Sequence, residues 1–272
     1  MIRIYFSEET LSHFHPGSSD ETGTFFKTGL DLPVLYEDEH ILLVNKPAGV
    51  LSQKAAADDV SVCEWLKEYL VCSGRMDLME WQSVNPSVCH RLDRNTSGLV
   101  ICWKTLPGLR EMSALIKDRS VRKLYQCFAA GKPVPDGTFR AFLSKDARTN
   151  TVRIHALPVK DAQAIETGVK TIMSGEVQGL YCSLLEVELI TGKSHQIRAH
   201  LASMGHPLLG DPKYGDPGIN RFVKEKMDIR FQMLHARRIE FPDLAGTFSY
   251  LSGRSFEAPL PEAFRLLKEN LE

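Results

Sequence analysis

The sequence predicts an α+β fold built on a mainly antiparallel (mixed) central sheet flanked by helices and loops. Residues 121–191 contain short β-rich runs separated by Gly, Pro, Asp or Asn, which is typical of antiparallel strands. Strands and helices do not alternate strictly along the chain, which argues against a parallel βαβ sheet. The chain has 272 residues, 43% of them hydrophobic, so it can bury a substantial core.

The first part of the chain is expected to be irregular. Residues 12–29 mix Gly, Ser, Pro and charged residues, which suits a lead-in better than a core element. We therefore expect a lead-in over residues 1–29 and one domain over residues 30–272. From Val34, the run VLYEDEHILLVNKPAGVLSQ predicts two short strands joined by an acidic turn and interrupted at Pro47.

Two helices are expected next. The segment SVCEWLKEYLVCSG combines a capping box of Ser61 and Glu64 with one apolar face and a stop at Gly74. A second helix is expected over residues 107–117, with Met112 among its inward residues.

Two further helices are expected after the β-rich stretch. One begins after Ser194, whose side chain can cap it, and ends at Gly205. The last helix lies in PEAFRLLKENLE, with Pro261 in its first turn.

The formal net charge is only -1, so any binding to nucleic acid would rest on a local basic patch. The six cysteines form no C-x-x-C pair, which fits reduced thiols better than a disulfide framework or a zinc site. No apolar run approaches the length of a membrane span, and no secretion signal is recognised. We therefore expect a cytoplasmic protein without a membrane partner. No feature demands a second subunit, so we expect a monomer.

The segment HRLDRNTSG places one acid, Asp93, between Arg91 and Arg94. Opposite charge within a few ångströms favours the anionic form of a carboxylate. For an isolated acid in a charged loop, a surface ion pair is the simpler interpretation. However, this loop is rich in turn formers and leads directly into the apolar run GLVICW. Functional groups are often mounted on loops that are anchored in this way.

A second segment, LITGKSHQIRAHLASMGHPLLGD, carries Lys193, His195, Arg198 and His200 with no acid among them. His195 and Arg198 are three residues apart and share a helix face. Backbone N–H groups at the start of this helix can face an anion. Taken alone, the segment fits an amphipathic helix with a solvated basic face equally well.

A third segment, IKDRSVRKLYQC, surrounds one acid with Lys117, Arg119, Arg122 and Lys123 and then places Tyr125 in a predicted strand. Viewed alone, Tyr125 fits a tyrosine of the core. Basic residues interleaved with an aromatic ring are also what RNA recognition uses, because phosphates need cations and an unstacked base needs a flat partner.

A metal site is a further alternative, because histidines are numerous in this sequence. His195 and His200 are five residues apart on a helix, unlike the four-residue spacing of zinc-binding helices. We therefore expect no metal, and a metal-dependent phosphoesterase is an alternative that excess chelator tests. A serine hydrolase is disfavoured, since no G-x-S-x-G motif occurs.

HRLDRNTSGLVI and LITGKSHQIRAHLASMGHPLLGD together resemble the two signature segments of the RluA-type family of pseudouridine synthases. VLYEDEHILLVNKPAGVLSQ is similar to the family's opening segment, KLYQCFAAG to its tyrosine-bearing strand and MLHARRIEF to its Leu-His-Ala strand. The resemblance covers roughly residues 30–245. It implies the pseudouridine synthase fold with a central RNA-binding cleft. It also implies isomerisation of uridine to pseudouridine in ribosomal or transfer RNA, without a metal or organic cofactor.

By position in these motifs, the resemblance implies that Asp93 is the catalytic aspartate, that Tyr125 stacks on the target base and that Arg198 pairs with Asp93. Leu234 matches an apolar wall of the substrate pocket. The remaining residues expected to contact RNA are Arg91, Arg94, Lys193, His195 and Gln196.

The chain departs from the family pattern in two places. Many relatives carry an N-terminal α-L RNA-binding module, for which residues 1–29 are too few, so substrate selection is expected to come from the catalytic domain. Lys193 stands where arginine is frequent, so a point charge replaces a bidentate fork. An alternative from another class is an RNA-binding or RNA-folding protein that retains the synthase scaffold. The presence of Asp93, Tyr125 and Arg198 argues against it.

Overall fold

The computed structural model describes residues 27–146 and 148–271, so most of the expected lead-in lies outside the described residues. Within these ranges eleven strands form one sheet. The strands are β1 (Val34–Glu37), β2 (Ile41–Lys46), β3 (Ser87–Val88), β4 (Ser97–Trp103), β5 (Arg122–Ala130), β6 (Gly137–Asp146), β7 (Thr151–His155), β8 (Gln163–Val177), β9 (Leu180–Leu189), β10 (Leu234–Glu240) and β11 (Ser255–Glu257). Their order is β1-β2-β4-β10-β5-β9-β8-β6-β7, with β3 beside β4 and β11 beside β10.

The prediction of a mainly antiparallel sheet is confirmed. In the described ranges β4 and β10 form the one parallel pair, through Ser97 with His235 and Gly98 with Ala236. Gly98 has a φ of 113°, and a Cβ on it would lie 2.3 Å from the carbonyl oxygen of Ala236. Only glycine fits this position, because it combines a positive φ with close backbone contact. Gly98 thereby holds the start of β4 against β10.

Six α-helices and one 3-10 helix accompany the sheet in the described part of the chain. Both helices predicted before the β-rich stretch, and both predicted after it, are present. Two helices, Leu78–Val84 and Pro217–Met227, are not among the predictions. The elements are α1 (Val62–Cys72), α2 (Leu78–Val84), α3 (Leu106–Lys117), α4 (Gln196–Ser203), α5 (Pro217–Met227), the 3-10 helix (Gly246–Leu251) and α6 (Glu262–Glu269). None of the described helices is long and apolar enough to cross a membrane.

Three details of the predicted helix starts are wrong. At α4 the N-cap is His195 instead of Ser194, and its side chain makes no capping hydrogen bond. At α1 the hydroxyl of Ser61 accepts from the N–H of Cys63, but Glu64 accepts from that hydroxyl, which differs from a capping box. Pro261 is the N-cap of α6 and precedes its first turn.

The two faces of the sheet bury alternate residues of the central strands, as the pleat requires. Leu42 and Val44 belong to an apolar cluster with residues of α1 and α4, whereas Ile41 and Leu43 belong to a second cluster with residues of α3. Tyr125 and Leu234 belong to the first cluster. The face that carries α4 is therefore the face on which the predicted site residues meet.

Candidate active site

Asp93 lies in the loop between β3 and β4, and 28% of its side chain is exposed. The loop is compact, because the N–H of Thr96 donates to the carbonyl of Asp93 at 3.0 Å. It is also attached to the loop that follows β2, since the N–H of Gly49 donates to the carbonyl of Arg94 at 2.9 Å. Asp93 is thus a partly exposed carboxylate on a loop that backbone hydrogen bonds hold in place.

Lys46, a residue without a predicted role, strengthens this attachment. Its side chain is fully buried, and its Nζ donates to the carbonyls of Pro47 at 2.9 Å, Val50 at 2.8 Å and Arg94 at 3.1 Å. Burial lowers the pKa of Lys46 to about 7, and the charge of Asp93 opposes that shift. Three carbonyl acceptors match the three N–H groups of an ammonium, so the contacts favour the charged form. Lys46 thus connects the Asp93 loop to the segment that follows β2.

Arg198 of α4 contacts Asp93 directly, which is the pair that the family resemblance implies. Its Nη1 donates to Asp93 Oδ2 at 2.7 Å, although the two residues are 105 positions apart in the chain. The side chain of Arg198 is only 5% exposed. A charge-assisted hydrogen bond from a buried guanidinium fixes Oδ2 and leaves Oδ1 without a hydrogen bond from Arg198.

The rest of the Arg198 guanidinium is held by Asp211, a residue without a predicted role. Nε and Nη2 of Arg198 donate to the two carboxylate oxygens of Asp211 at 2.7 and 2.8 Å, and Asp211 is fully buried. Burial alone would raise the pKa of Asp211, but the hydrogen bonds and charge of Arg198, with the N–H groups of Lys213 and Tyr214, lower it. The bidentate pair sets the plane in which Arg198 meets Asp93.

Tyr125 and Leu234 form the apolar side of the cavity in front of Asp93. The cavity has a volume of about 60 Å³ and is also lined by Asp93, Arg198 and His195. Tyr125 and Leu234 are each 5% exposed, on the adjacent strands β5 and β10. Burial raises the pKa of Tyr125, and the nearby charge of Asp93 raises it further, so the phenol stays neutral. The site thus places a flat aromatic ring and an aliphatic wall beside one carboxylate.

Gln196 is expected from the sequence to contact RNA, but its amide is fully used inside the protein. Its Oε1 accepts from the hydroxyl of Thr191 at 2.8 Å and from the N–H of Lys193 at 3.1 Å. Its Nε2 donates at 3.0 Å both to the carbonyl of Glu166 and to the hydroxyl of Thr167. Gln196 is 2% exposed and lines the cavity, and its amide braces the turn before α4, so its contact with RNA stays a prediction.

The cavity opens into a groove of about 970 Å³ that is strongly cationic. Asp93 is the one carboxylate in its described lining. Arg122, part of the third basic cluster, faces away and pairs with Glu188 and Glu240. His200 is buried, and desolvation lowers its pKa, so it adds no charge. The nine Lys and Arg residues of the lining are Arg91, Arg94, Lys117, Arg119, Lys123, Lys145, Lys193, Arg198 and Lys213.

This arrangement suits a reaction at a polyanionic substrate. A groove with this charge imbalance attracts phosphates, although the net charge of the whole chain is -1. The fixed carboxylate can attack an electrophilic carbon or remove a proton, and the apolar walls exclude water from the reacting atoms. In the described residues no group of three or more His, Cys, Asp or Glu side chains is arranged to hold a metal ion.

The fold and this site together define the class of the protein. The family model described as RNA pseudouridylate synthase matches residues 40–203, more than half of the chain. The chain therefore belongs to this family, and it is an enzyme that isomerises uridine in RNA to pseudouridine.

Individual relatives agree with this assignment. An uncharacterized RNA pseudouridine synthase of Mycoplasma pneumoniae is 35% identical over 89% of this chain and 72% of the relative. Ribosomal large subunit pseudouridine synthase D of Zymomonas mobilis is 31% identical over 88% of this chain and 72% of the relative. The solved structure of human RNA pseudouridylate synthase domain containing 1 has a TM-score of 0.62 at 20% identity, over 88% of this chain and 94% of that one. The last similarity shows the fold alone.

Proposed function

We propose that Asp93 carries the first chemical step of the isomerisation and that the substrate is ribosomal RNA of the large subunit. The observation that supports the catalytic role is the chain of contacts Asp93–Arg198–Asp211 beside an apolar cavity. The observation that supports the substrate is that several relatives are named ribosomal large subunit pseudouridine synthases.

The reaction breaks the bond between N1 of uracil and C1′ of ribose and forms a bond between C5 and C1′. The proton lost from C5 is balanced by one gained at N1. Asp93 starts this sequence either by attack on the ribose or base or by removal of a proton from the sugar. Both routes need an ionised oxygen that faces the nucleotide. Asp93 Oδ1 is available for this role, because Arg198 holds Oδ2.

Tyr125 and Leu234 keep the detached base in place while it turns. The ring of Tyr125 offers a face for stacking, and the side chain of Leu234 closes the pocket against water. A uridine in folded RNA has to leave its helix to reach this cavity. Arg91 and Arg94 are exposed at the groove, where they contact the neighbouring phosphates or the vacated space.

Replacement of Tyr125 by Leu is expected to lower the rate of pseudouridine formation by roughly 5- to 150-fold. This factor corresponds to the loss of about 1–3 kcal/mol, the free energy of stacking one base on an aromatic ring. Leu retains apolar volume but offers no flat surface. Tyr181→Leu is the matched control, because Tyr181 is 42% exposed on β9 outside the cavity lining. Single-turnover kinetics on an RNA fragment that carries the unmodified target uridine measure the effect. Equal rates for Tyr125→Leu and the wild type would exclude a stacking role.

The proposed substrate is tested with purified protein and three RNA pools from cells that lack it: large-subunit ribosomal RNA, small-subunit ribosomal RNA and transfer RNA. Chemical mapping of pseudouridine after incubation is expected to show new sites in the large-subunit RNA. New sites confined to transfer RNA would overturn the proposed substrate while leaving the role of Asp93 intact.

A further inference from the structure

His195 lies directly beside Asp93 and has a second partner on its other side. Its Nε2 is 3.9 Å from Asp93 Oδ1, the oxygen that Arg198 leaves free. Its Nδ1 is 2.9 Å from the hydroxyl of Tyr214, and its side chain is only 11% exposed. The imidazole therefore connects the free oxygen of Asp93 to Tyr214.

A third group favours one direction for the hydrogen bond between Tyr214 and His195. The backbone N–H of Val152 in β7 donates to the hydroxyl oxygen of Tyr214 at 2.9 Å. A backbone N–H can only donate, so the tyrosine oxygen is the acceptor there. The hydroxyl proton of Tyr214 is then available for Nδ1 of His195, which accepts it through its lone pair. This direction places the imidazole proton on Nε2, facing Asp93.

We propose that Tyr214, held by Val152 of β7, fixes His195 as the neutral tautomer that presents its Nε2–H to Asp93 Oδ1. His195 then acts through Asp93 as a positioning residue for the isomerisation. The inference rests on the proposed catalytic role of Asp93. Through Tyr214 and His195, it also connects the hairpin of β6 and β7 to the carboxylate of Asp93.

The surroundings of the imidazole favour its neutral form. Burial lowers the pKa of His195, and Arg198 and Lys213 lower it further, whereas Asp93 and Asp211 oppose them. Acceptance of the Tyr214 proton by Nδ1 stabilises the neutral ring in addition. A neutral N–H orients the carboxylate of Asp93 without adding the full positive charge that would make its oxygen less reactive.

The distance of 3.9 Å between Nε2 and Oδ1 is longer than a hydrogen bond. Catalytic hydrogen bonds are often long before substrate binds and shorten in the complex. An approach of about 1 Å converts the contact into a hydrogen bond. Asp93 then has a donor on each oxygen, Arg198 at Oδ2 and His195 at Oδ1.

Nitrogen-15 NMR of histidine-labelled protein tests the tautomer without any activity measurement. At neutral pH the wild type is expected to show an unprotonated Nδ1 and a protonated Nε2 for His195. Tyr214→Phe is expected to change these shifts towards a mixture of tautomers and to raise the pKa of His195. Tyr181→Phe is the control, with unchanged signals. A protonated Nδ1 in the wild type, or identical His195 signals in Tyr214→Phe, would overturn the proposal.

Kinetics test the consequence for Asp93. His195→Gln keeps an N–H donor near the position of Nε2, whereas His195→Met has similar length and no donor. Gln and Met at position 195 experience the same backbone strain, because this position has a φ of 54°. We expect kcat to fall about 10-fold more in His195→Met than in His195→Gln, with equal KM for RNA. Equal kcat in the two variants would overturn the positioning role.

The pH profile separates a proton effect from a packing effect. In Tyr214→Phe, His195 gains a proton at a higher pH than in the wild type, so the fall of kcat towards low pH is expected to begin at a higher pH than in the wild type. A parallel profile at lower rate would indicate a packing defect and would overturn the inference. Full activity of Asp93→Asn would instead reject the proposed function, whatever the NMR signals of His195 show.

Discussion

Asp93→Asn is expected to lower the rate of pseudouridine formation by about 10⁴-fold, the upper range for loss of a positioned acid–base group. The amide fits the same space and can accept from Arg198 Nη1, but it cannot supply an anionic oxygen. The fold is expected to persist, because Arg198 retains its two hydrogen bonds to Asp211. Affinity for RNA is expected to stay the same or to rise slightly, since the one carboxylate of the described groove lining is removed.

Asp59→Asn is the matched control for this variant. Asp59 lies in the segment between β2 and α1 and pairs with Arg94 at 3.3 Å. Its substitution is expected to leave single-turnover rates within about threefold of the wild type. Single-turnover kinetics and filter binding at two salt concentrations distinguish chemistry from RNA affinity. A rate for Asp93→Asn within tenfold of the wild type would contradict the catalytic role.

Arg198→Met is expected to show the second largest effect, and it acts on both activity and stability. Loss of the donor to Asp93 is expected to lower the rate by about 100-fold or more, as removal of one preorganised donor does. Asp211 is fully buried, so it would become an unpaired anion. Breaking a buried pair in this way costs about 3–5 kcal/mol of folding free energy. Thermal unfolding and single-turnover kinetics measure the two effects.

The double variant Arg198→Met/Asp211→Asn separates them. It removes the unpaired charge, so stability is expected to recover in part, while the rate stays low because Asp93 remains without its donor. Arg94→Met serves as the control for loss of a groove cation, since its side chain is 54% exposed and its partner is a single carboxylate. It is expected to weaken RNA binding and to leave kcat unchanged. The magnitude of the slope of the logarithm of the binding constant against the logarithm of the salt concentration is expected to fall by about one. Recovery of the rate in the double variant would show that Arg198 has a structural role only.

Much of the fold can be predicted from the sequence, because its signals are local. The β-rich stretch, the turn at Pro47 and the helix that starts at Val62 follow from alternation, turn residues and caps. The two helices that we did not predict also have capping residues that are recognisable in the sequence. Asp77 and Glu80 form a complete capping box at α2, and Asp216 caps α5 with Pro217 after it.

The site depends on contacts that sequence spacing does not reveal. The pairing of Asp93 with Arg198 is implied by motif resemblance, because no local rule relates residues 105 positions apart. Asp211, the second partner of Arg198, is harder to predict than Asp93. Its one signal is a carboxylate directly after the apolar run PLLG, which needs a partner if it is buried.

Lys46 and Gln196 illustrate the converse limit. Both are polar residues in segments that resemble the family motifs, and a sequence pattern shows neither their burial nor their partners. Lys46 is fully buried and Gln196 is 2% exposed, each with its donors satisfied by internal carbonyls or hydroxyls. The partners come from other loops and strands, so only the folded chain shows that these side chains support the site from inside the protein.

The most direct test of the central role of Asp93 is a pseudouridine map of cellular RNA. Cells that lack the protein are complemented with the wild type, with Asp93→Asn or with the control Asp59→Asn, and all RNAs are mapped at nucleotide resolution. We predict that one or more pseudouridines disappear without the protein and return with the wild type and Asp59→Asn, but not with Asp93→Asn. Return of the same pseudouridines with Asp93→Asn would contradict the assignment of Asp93 as the catalytic carboxylate.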